Sequence, residues 1–214
     1  MSDRRLTPEL LLSAYANGIF PMAETRDAKD LYWVDPRNRG VMPLDAFHVS
    51  RSLKRRMAKG TYSATLNHDL DAVLDGCSDR DETWINETIR RLIRALFNDG
   101  YAHTLEVWNE GQLVGGVYGI ALGGAFFGES MFSKDVDGSK IALTWLVDHL
   151  RRTGFTLFDT QFITPHLASL GAVEIPRDQY RAQLARALAV PVSFHAQLLE
   201  TDVQAVLQRI TQTS

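Results

Sequence analysis

The sequence predicts an α/β protein, more closely α+β, whose central sheet is mixed and mostly antiparallel. The stretch from His103 to Phe132 is broken by turns at "NEGQ" and "LGG", which predicts three strands in an antiparallel meander. A helical pattern follows, and then the nearly apolar stretch "FTLFDTQF". We therefore predict a further strand, parallel to the last strand of the meander and joined to it by a right-handed crossover.

The first part of the chain is less regularly patterned than the rest. "TPELLLSAYANG" predicts a helix that is capped by Thr7 and ends at Gly18. "GIFPMAETRDAKDLYWVDPRNRGVMP" holds three of the seven prolines and little periodicity, so we predict loops there. "SRSLKRRMAKG" predicts a short basic helix that ends at Gly60. We divide the chain into a small N-terminal domain, residues 1–60, and a larger domain, residues 61–214.

Regular elements follow in the larger domain. "YSATLN" predicts a strand, "DLDAVLDGC" a short helix, and "TWINETIRRLIRALFNDG" an amphipathic helix that ends at Gly100. The helix of the crossover has Leu143, Leu146 and Leu150 at core spacing. The order is strand, helix, helix, three strands, helix, strand. This is the order of elements in the GNAT acyltransferase fold.

The bulk composition excludes several classes of protein. The chain has 23 basic and 26 acidic residues, and a net charge of −3 predicts no partner by itself. "MSDRRLTPELL" is no secretory signal, and no stretch has the roughly 20 apolar residues that cross a bilayer. A single cysteine, Cys77, excludes intrachain disulfides and a multi-cysteine metal cage. We therefore expect a soluble, cytoplasmic protein without a metal.

Three polar side chains are predicted to meet at the ends of the crossover strands. Glu129 lies near the end of one strand, and Asp159 and Gln161, two residues apart on the next, share a face. Ligands of such sheets bind near these strand ends. Isolated ionisable groups in apolar strands are unfavourable unless they are paired or used. The alternative is a structural hydrogen-bond network.

The loop "DVDGSK" before the crossover helix argues against coenzyme A. GNAT enzymes that use acyl-CoA hold its pyrophosphate here, usually with a Q/R-x-x-G-x-G/A pattern. Asp135 stands where Gln or Arg is expected, Lys140 replaces the small residue, and the carboxylates of Asp135 and Asp137 would repel a pyrophosphate. A calcium loop is also disfavoured, because its last ligand position is Leu146.

Residues 46–68 contain no acidic residue and a cluster of five basic ones, which are Arg51, Lys54, Arg55, Arg56 and Lys59. Arg51, Arg55 and Lys59 follow at intervals of four, so they line one helical face. Such a stripe suits a nucleic-acid backbone, and the alternative is a solvated helix face. Trp33 and Trp84 are candidates for stacking on an unpaired RNA base, or else they are core residues.

Several motifs together resemble one family. They are "NGIFPM", "YWVDPRNRGV", "FHVSRSLKRRM", "TWINE", "AHTLEVWNEGQLVGGVYG", "FFGESMFS", "SKIALTWL", "FDTQF" and "HLASLGAVEIPRDQY". The chain resembles the leucyl/phenylalanyl-tRNA–protein transferases from about residue 15 to about residue 188. The resemblance implies a small N-terminal domain and a GNAT-like catalytic domain. It also implies transfer of Leu or Phe, and less readily Met, from aminoacyl-tRNA to proteins that begin with Arg or Lys. Such transfer marks a protein for N-degron proteolysis, with aminoacyl-tRNA as co-substrate and no cofactor.

The resemblance also implies roles for individual residues. Asp159 and Gln161 serve the peptide-forming step, and Glu129 binds the acceptor. Because a neutral amide is a weak base, we interpret Gln161 as orienting the amine while Asp159 supplies the charge through it or through water. The acidic loop would then face the cationic acceptor.

The resemblance also implies which residues bind the aminoacyl-tRNA donor. Trp33 and Trp84 match the aromatic residues that hold the terminal adenosine, and the basic helix matches the one that meets the acceptor stem. The pocket for the donor side chain is lined by Val117, Phe126, Leu143, Leu146, Leu150 and Phe158. Two features depart from the common pattern, because many relatives have W-W-S-P-D-P-R at "YWVDPRNR" and a larger Met at Val117.

Two other functions remain open. One is a CoA-dependent N-acetyltransferase on the same fold, and the other is a non-catalytic RNA-binding or adaptor protein. We expect a monomer. The tail from Pro191 to Ser214 lies outside the resemblance and receives no role.

Overall fold

The structure, a computed structural model, describes residues 6–28 and 30–212. The helices of this part are α1 (Pro8–Ala16), α2 (Arg51–Lys59), α3 (Leu70–Ser78), α4 (Glu87–Asn98), α5 (Gly138–Thr153), α6 (Pro165–Ala168), α7 (Arg177–Leu188) and α8 (Val203–Thr211). The strands are β1 (Phe20–Met22), β2 (Tyr32–Val34), β3 (Asn38–Val41), β4 (Tyr62–Leu66), β5 (Ala102–Asn109), β6 (Gln112–Leu122), β7 (Ala125–Ser133), β8 (Leu157–Gln161) and β9 (Val173–Pro176).

One seven-stranded sheet has the order β4-β5-β6-β7-β8-β3-β9, and β1 pairs with β2 in a small antiparallel ribbon. Within the large sheet only β7 and β8 run parallel. The mixed, mostly antiparallel sheet is confirmed, and so are the meander and the crossover through α5.

The loops predicted between Gly18 and Pro43 are partly wrong, because this segment contains three short strands. One of them, β3, lies inside the central sheet between β8 and β9. A strand of four residues beside prolines shows too little alternation to be recognised. The division at residue 60 stays a prediction, although residues 38–41 pair with strands of the larger domain.

The predicted helix boundaries follow from local capping. Thr7 Oγ1 accepts a hydrogen bond from Leu10 N at 3.3 Å, and Ser50 Oγ accepts one from Leu53 N at 3.2 Å. Gly154 closes α5 with φ of 86°, a left-handed conformation that glycine adopts readily.

Two apolar cores lie on the sheet. One includes the buried side of α5 and α8, and the other includes residues of α1, α3, α4 and α7. The C-terminal segment packs on α5, where Trp145 Nε1 donates to Glu200 O at 3.0 Å and Arg209 pairs with Asp148 at 2.7 Å. The tail therefore completes the first core. No helix in the described part of the chain is long and apolar enough to cross a membrane.

The parallel strands separate soon after they meet. β7 and β8 pair only from Ala125 to Phe127 and from Leu157 to Asp159, and both strands continue further. The register of β7 against β6 also shifts next to Gly128. Glu129 and Gln161 therefore lie just beyond the last paired positions, where side chains can bridge the two strands.

Candidate active site

The structure brings the three predicted polar residues together. Gln161 Nε2 donates a hydrogen bond to Glu129 Oε1 at 2.6 Å, which links β8 to β7. Gln161 N donates to Asp159 Oδ1 at 2.8 Å. Gln161 therefore contacts Glu129 through its side-chain amide and Asp159 through its backbone N–H.

The backbone at the end of β8 turns Gln161 toward Glu129. Gln161 has φ of 63°, a left-handed value that is unfavourable for a residue with a side chain. The carboxylate of Asp159 stabilises this turn by accepting the backbone N–H two residues later. Strained backbone of this kind is common at functional sites, where the surroundings hold it in place.

Asp159 is saturated with hydrogen bonds. Arg39 donates Nε to Oδ1 at 2.9 Å and Nη2 to Oδ2 at 2.7 Å, and Tyr180 OH donates to Oδ2 at 2.6 Å. With the N–H of Gln161, the carboxylate accepts four hydrogen bonds, and its side chain is 0% exposed. The two-pronged guanidinium contact is the strong form of this ion pair.

Arg39 is itself tightly enclosed. Its guanidinium carbon lies 4.5 Å from the ring centroid of Phe20 and 4.6 Å from that of Tyr180. Its Nη1 donates to Gly18 O at 3.0 Å. Arg39 therefore connects the N-terminal segment to the strand that carries Asp159 and Gln161.

Glu129 has different surroundings. It is buried, and its Oε1 accepts from Tyr15 OH at 2.8 Å as well as from Gln161. Burial raises the pKa of Glu129 to about 8, although the hydrogen bond from Tyr15 acts in the opposite direction. Among the described residues, none donates a hydrogen bond to Oε2.

Three residues of this network, Tyr15, Arg39 and Tyr180, were not predicted from the sequence. Tyr15 and Leu11 share the buried face of α1, so Tyr15 reads as a core residue. Tyr180 likewise sits in an ordinary helical pattern. Arg39 lies in a segment predicted as loop. The one sequence feature that could have indicated its role is a charged side chain close to the apolar run that begins after Gly40.

The predicted donor pocket is a packed core. Its six residues all belong to the core on the α5 side and are at most 3% exposed. Tyr15 and Tyr180, which contact the polar residues, belong to the other core. A Leu or Phe side chain would enter only if the six side chains moved apart, because protein interiors leave little empty volume. The assignment stays a prediction.

The two predicted adenosine-binding tryptophans differ in exposure. Trp33 is 45% exposed, whereas Trp84 is half-buried against the core that contains Tyr15. Trp33 lines a cavity of about 1110 Å³ together with residues of α1, α4 and α7. In β2, alternation places Tyr32 and Val34 on the opposite side, and Val34 pairs with Phe20, which contacts Arg39. The adenosine role of both tryptophans stays a prediction.

The basic helix α2 buries Leu53 and Met57 and leaves its basic residues exposed or half-buried. Arg56 also forms an ion pair, in which its Nε lies 3.1 Å from Asp137 Oδ2. Lys140 Nζ lies 3.0 Å from the other oxygen of Asp137. The charge of Asp137 is therefore balanced by two cations of the chain itself, and it stays a prediction that the acidic loop faces the acceptor.

The geometry gives no support to a metal site or to a cysteine nucleophile in the described part of the chain. In residues 6–28 and 30–212, no group of three or more His, Cys, Asp or Glu is arranged to hold a metal ion. Cys77 is buried, and burial raises the pKa of its thiol to about 12, so it is a packing residue and not a nucleophile.

Comparison with known proteins identifies the family. The family model described as leucyl/phenylalanyl-tRNA protein transferase matches residues 41–185, and the model of that family's N-terminal domain matches residues 4–37. The leucyl/phenylalanyl-tRNA–protein transferase of Ruegeria pomeroyi is 62% identical over 98% of this chain and 99% of its own length. That of Cereibacter sphaeroides is 56% identical over 100% of both chains.

Among solved structures, FemX matches with a TM-score of 0.50 and 12% identity, over 78% of this chain and 66% of its own. At this identity the likeness concerns the fold alone. The sequence comparisons are far more specific, because they cover nearly the whole chain at more than half identity. The chain belongs to the leucyl/phenylalanyl-tRNA–protein transferase family.

Proposed function

We propose that the protein transfers Leu or Phe, and less readily Met, from aminoacyl-tRNA to the α-amine of proteins that begin with Arg or Lys. The product would be a substrate for N-degron proteolysis. The observation that carries this proposal is the contact between Gln161 and Glu129 where β7 and β8 separate, in a chain of this family. A carboxylate with one unbonded oxygen suits a cationic acceptor.

The chemistry requires little of the enzyme beyond placement and proton handling. An aminoacyl-tRNA ester is already activated, so no enzyme nucleophile is needed. The acceptor amine has to be deprotonated and aimed at the ester carbonyl, and placement alone contributes much of the rate. We assign the aiming to Gln161, whose side-chain position is fixed by its hydrogen bond to Glu129. Asp159 holds the backbone of Gln161 in its left-handed conformation.

On the donor side, the exposed Arg51, Arg55 and Lys59 and the half-buried Lys54 of α2 would meet the phosphates of the tRNA. Arg56 would contribute less, because its charge is already shared with Asp137. Trp84 and Trp33 would hold the terminal adenosine. The apolar core on the α5 side would open to admit a Leu or Phe side chain.

We also propose that residues 61–214 form a GNAT-like catalytic domain, that residues 1–60 form a small N-terminal domain, and that the protein acts as a monomer without a cofactor. The meander followed by a crossover to a parallel strand supports the GNAT-like part. Asp135 and Lys140, which replace the residues of the usual pyrophosphate pattern, argue against acetyl-CoA as the donor.

The test is transfer of labelled Leu or Phe from charged tRNA to a short peptide. A peptide that begins with Arg is compared with the same peptide beginning with Glu, and acetyl-CoA replaces charged tRNA in a third reaction. We expect product only with charged tRNA and the Arg peptide. Acetylation would support the acetyltransferase instead, and tRNA binding without any product would indicate a non-catalytic RNA-binding protein.

A further inference from the structure

Two arginines are fixed between the C-terminal end of α3 and strand β7. Arg26 Nη2 donates to Ser78 O at 2.7 Å and to Arg80 O at 3.3 Å. Arg80 Nη2 donates to Ser130 Oγ at 3.3 Å and to Met131 O at 3.1 Å. All four acceptors are neutral. Within the described part of the chain, Nε and Nη1 of both guanidinium groups have no acceptor, so these N–H groups are free for a ligand.

A cavity of about 280 Å³ lies beside these arginines. Its lining includes the basic residues Arg26, Arg90 and Lys134 and the acidic residues Asp75 and Asp79. Arg90 is compensated, because its Nη2 lies 2.7 Å from Asp75 Oδ1. Among the described residues, no carboxylate forms an ion pair with Arg26 or Lys134. The lining therefore carries more uncompensated positive than negative charge.

We call Arg26, Arg80 and Lys134 the cationic cluster. Arg80 adjoins the cavity, since Arg26 bonds to its backbone carbonyl. The carboxylates of Asp79, Asp81 and Glu82 are exposed, and in the part of the chain that the structure describes none of them forms an ion pair with the cluster. Fixed cations that bond only to neutral groups keep their charge available for an anion.

The cationic cluster lies between the two surfaces that the proposed function assigns to the tRNA. On one side, Lys134 is three residues before Asp137, which pairs with Arg56 of the basic helix α2. On the other side, Trp84 is four residues after Arg80. An unpaired 3′ end that runs from α2 to Trp84 would therefore pass the cluster.

We propose that the cationic cluster binds a phosphodiester of the unpaired 3′ end of the donor tRNA, next to the terminal adenosine. This inference rests on the proposed function, since it names a further contact of the donor substrate. The unesterified oxygens of the phosphodiester accept hydrogen bonds from Arg26 and Arg80, and Lys134 adds positive charge. Such contacts position the RNA without reading its sequence. The cluster therefore serves every donor tRNA, whichever amino acid it carries.

The test compares two small donors that differ in phosphate. Phenylalanyl-adenosine has none, whereas the phenylalanyl ester of the trinucleotide CCA has a phosphodiester on each side of its middle nucleotide. We measure kcat/KM for transfer to an Arg-terminated peptide with wild type, Arg26→Gln and Arg80→Gln. Each variant should lose about 10-fold with the trinucleotide donor and less than about 2-fold with phenylalanyl-adenosine, because only the first donor offers a charged acceptor.

A binding measurement gives a second readout that needs no turnover. The affinities for the trinucleotide CCA and for adenosine, both without an amino acid, are followed by tryptophan fluorescence between about 50 mM and 200 mM salt. Arg80→Gln should weaken the binding of CCA but not of adenosine. It should also reduce the slope of log affinity for CCA against log salt by about 0.7, the value for one phosphate contact of a single strand.

Arg94→Gln is the matched control. Arg94 is a half-exposed arginine of α4 whose guanidinium is compensated, because it lies 2.8 Å from Asp71 and 3.5 Å from Glu87. We expect this variant to use both donors as wild type does. A loss with the trinucleotide donor as large as in Arg80→Gln would overturn the inference, since any nearby positive charge would then suffice.

The remaining outcomes are equally distinct. Equal losses of Arg80→Gln with both donors would overturn the inference, because Arg80 would then act only by supporting β7 beside Glu129. Unchanged affinity and salt slope for CCA in both cluster variants would also overturn it. If wild type forms no product from charged tRNA or from either small donor, the proposed function itself fails.

Discussion

Asp159 and Glu129 lie on neighbouring parallel strands and both accept a hydrogen bond from Gln161, yet their surroundings are opposite. Asp159 has the guanidinium of Arg39 and the hydroxyl of Tyr180, and all of its hydrogen-bonding capacity is used. Glu129 is buried, and among the described residues no cation bonds to it and none donates a hydrogen bond to Oε2.

The difference shows how two similar carboxylates on neighbouring strands acquire different properties. A buried carboxylate that is paired with Arg through two hydrogen bonds is held rigidly, which suits it to hold the backbone. A buried carboxylate without such a pair has a raised pKa and exchanges a proton near neutral pH. Substitutions at these residues test the contrast.

The largest effect should come from removing the cation of the pair. Arg39→Leu leaves Asp159 buried without its partner, so we expect a loss of about 3–5 kcal/mol in the free energy of unfolding, measured with urea. The double variant Arg39→Leu with Asp159→Leu should recover much of this loss, because two apolar residues replace the whole pair. A double variant as unstable as the single one would show that the pair matters through packing alone.

Next in size is Asp159→Asn, which keeps the shape of the side chain but removes its charge. The turn at Gln161 should loosen, and we expect kcat for transfer to fall by about 100-fold while binding of charged tRNA is unchanged. Single-turnover kinetics and a filter-binding assay measure the two quantities. Tyr180→Phe, which removes one of the four hydrogen bonds, is a milder control. Normal turnover in Asp159→Asn would refute the positioning role.

Glu129 should make the free energy of unfolding depend on pH. The pKa of Glu129 in the folded protein is about 8, whereas an unfolded glutamate titrates near about 4.3. Between these values the folded state holds a proton that the unfolded state has lost, so the free energy of unfolding falls as pH rises. Relative to Glu129→Gln, wild type should lose on the order of 2 kcal/mol between pH 6.5 and pH 9. The exposed Glu82→Gln should show no such difference, and an equal slope in all three proteins would contradict the assignment.

The smallest effect concerns the basic helix. Arg55→Gln should weaken tRNA binding a few-fold and reduce the slope of log affinity against log salt by about 1. Arg56→Gln is the matched comparison on the same helix, and it should change less because Arg56 already pairs with Asp137. Identical affinity and slope in wild type and Arg55→Gln would mean that this helix is only solvated.

Much of the fold followed from the sequence, because the elements from β4 to β8 are regularly patterned and most of them have eight or more residues. The meeting of Glu129, Asp159 and Gln161 could also be predicted, since strand alternation and the parallel crossover fix their relative positions. The ribbon β1-β2 and strand β3 could not, because three or four residues carry too little periodicity.

The part of the site that the sequence did not predict also depends on short or distant segments. Arg39 comes from the short strand β3, and its contact with Asp159 spans 120 positions in the chain. The pairing of Asp137 with Arg56 spans 81 positions, so the sequence showed an acidic loop and a basic helix but not that they neutralise each other. Contacts between distant segments with no local pattern are visible only in the folded structure.

The most direct test of the contrast is the titration of Glu129 itself. Glutamate carboxyl groups labelled with carbon-13 are followed by NMR in wild type, and the signal that is lost in Glu129→Gln belongs to this residue. We predict a titration midpoint near pH 8. A midpoint near the ordinary value of about 4.3 would contradict the account, because burial without a bonded cation would then have left the pKa of Glu129 unchanged.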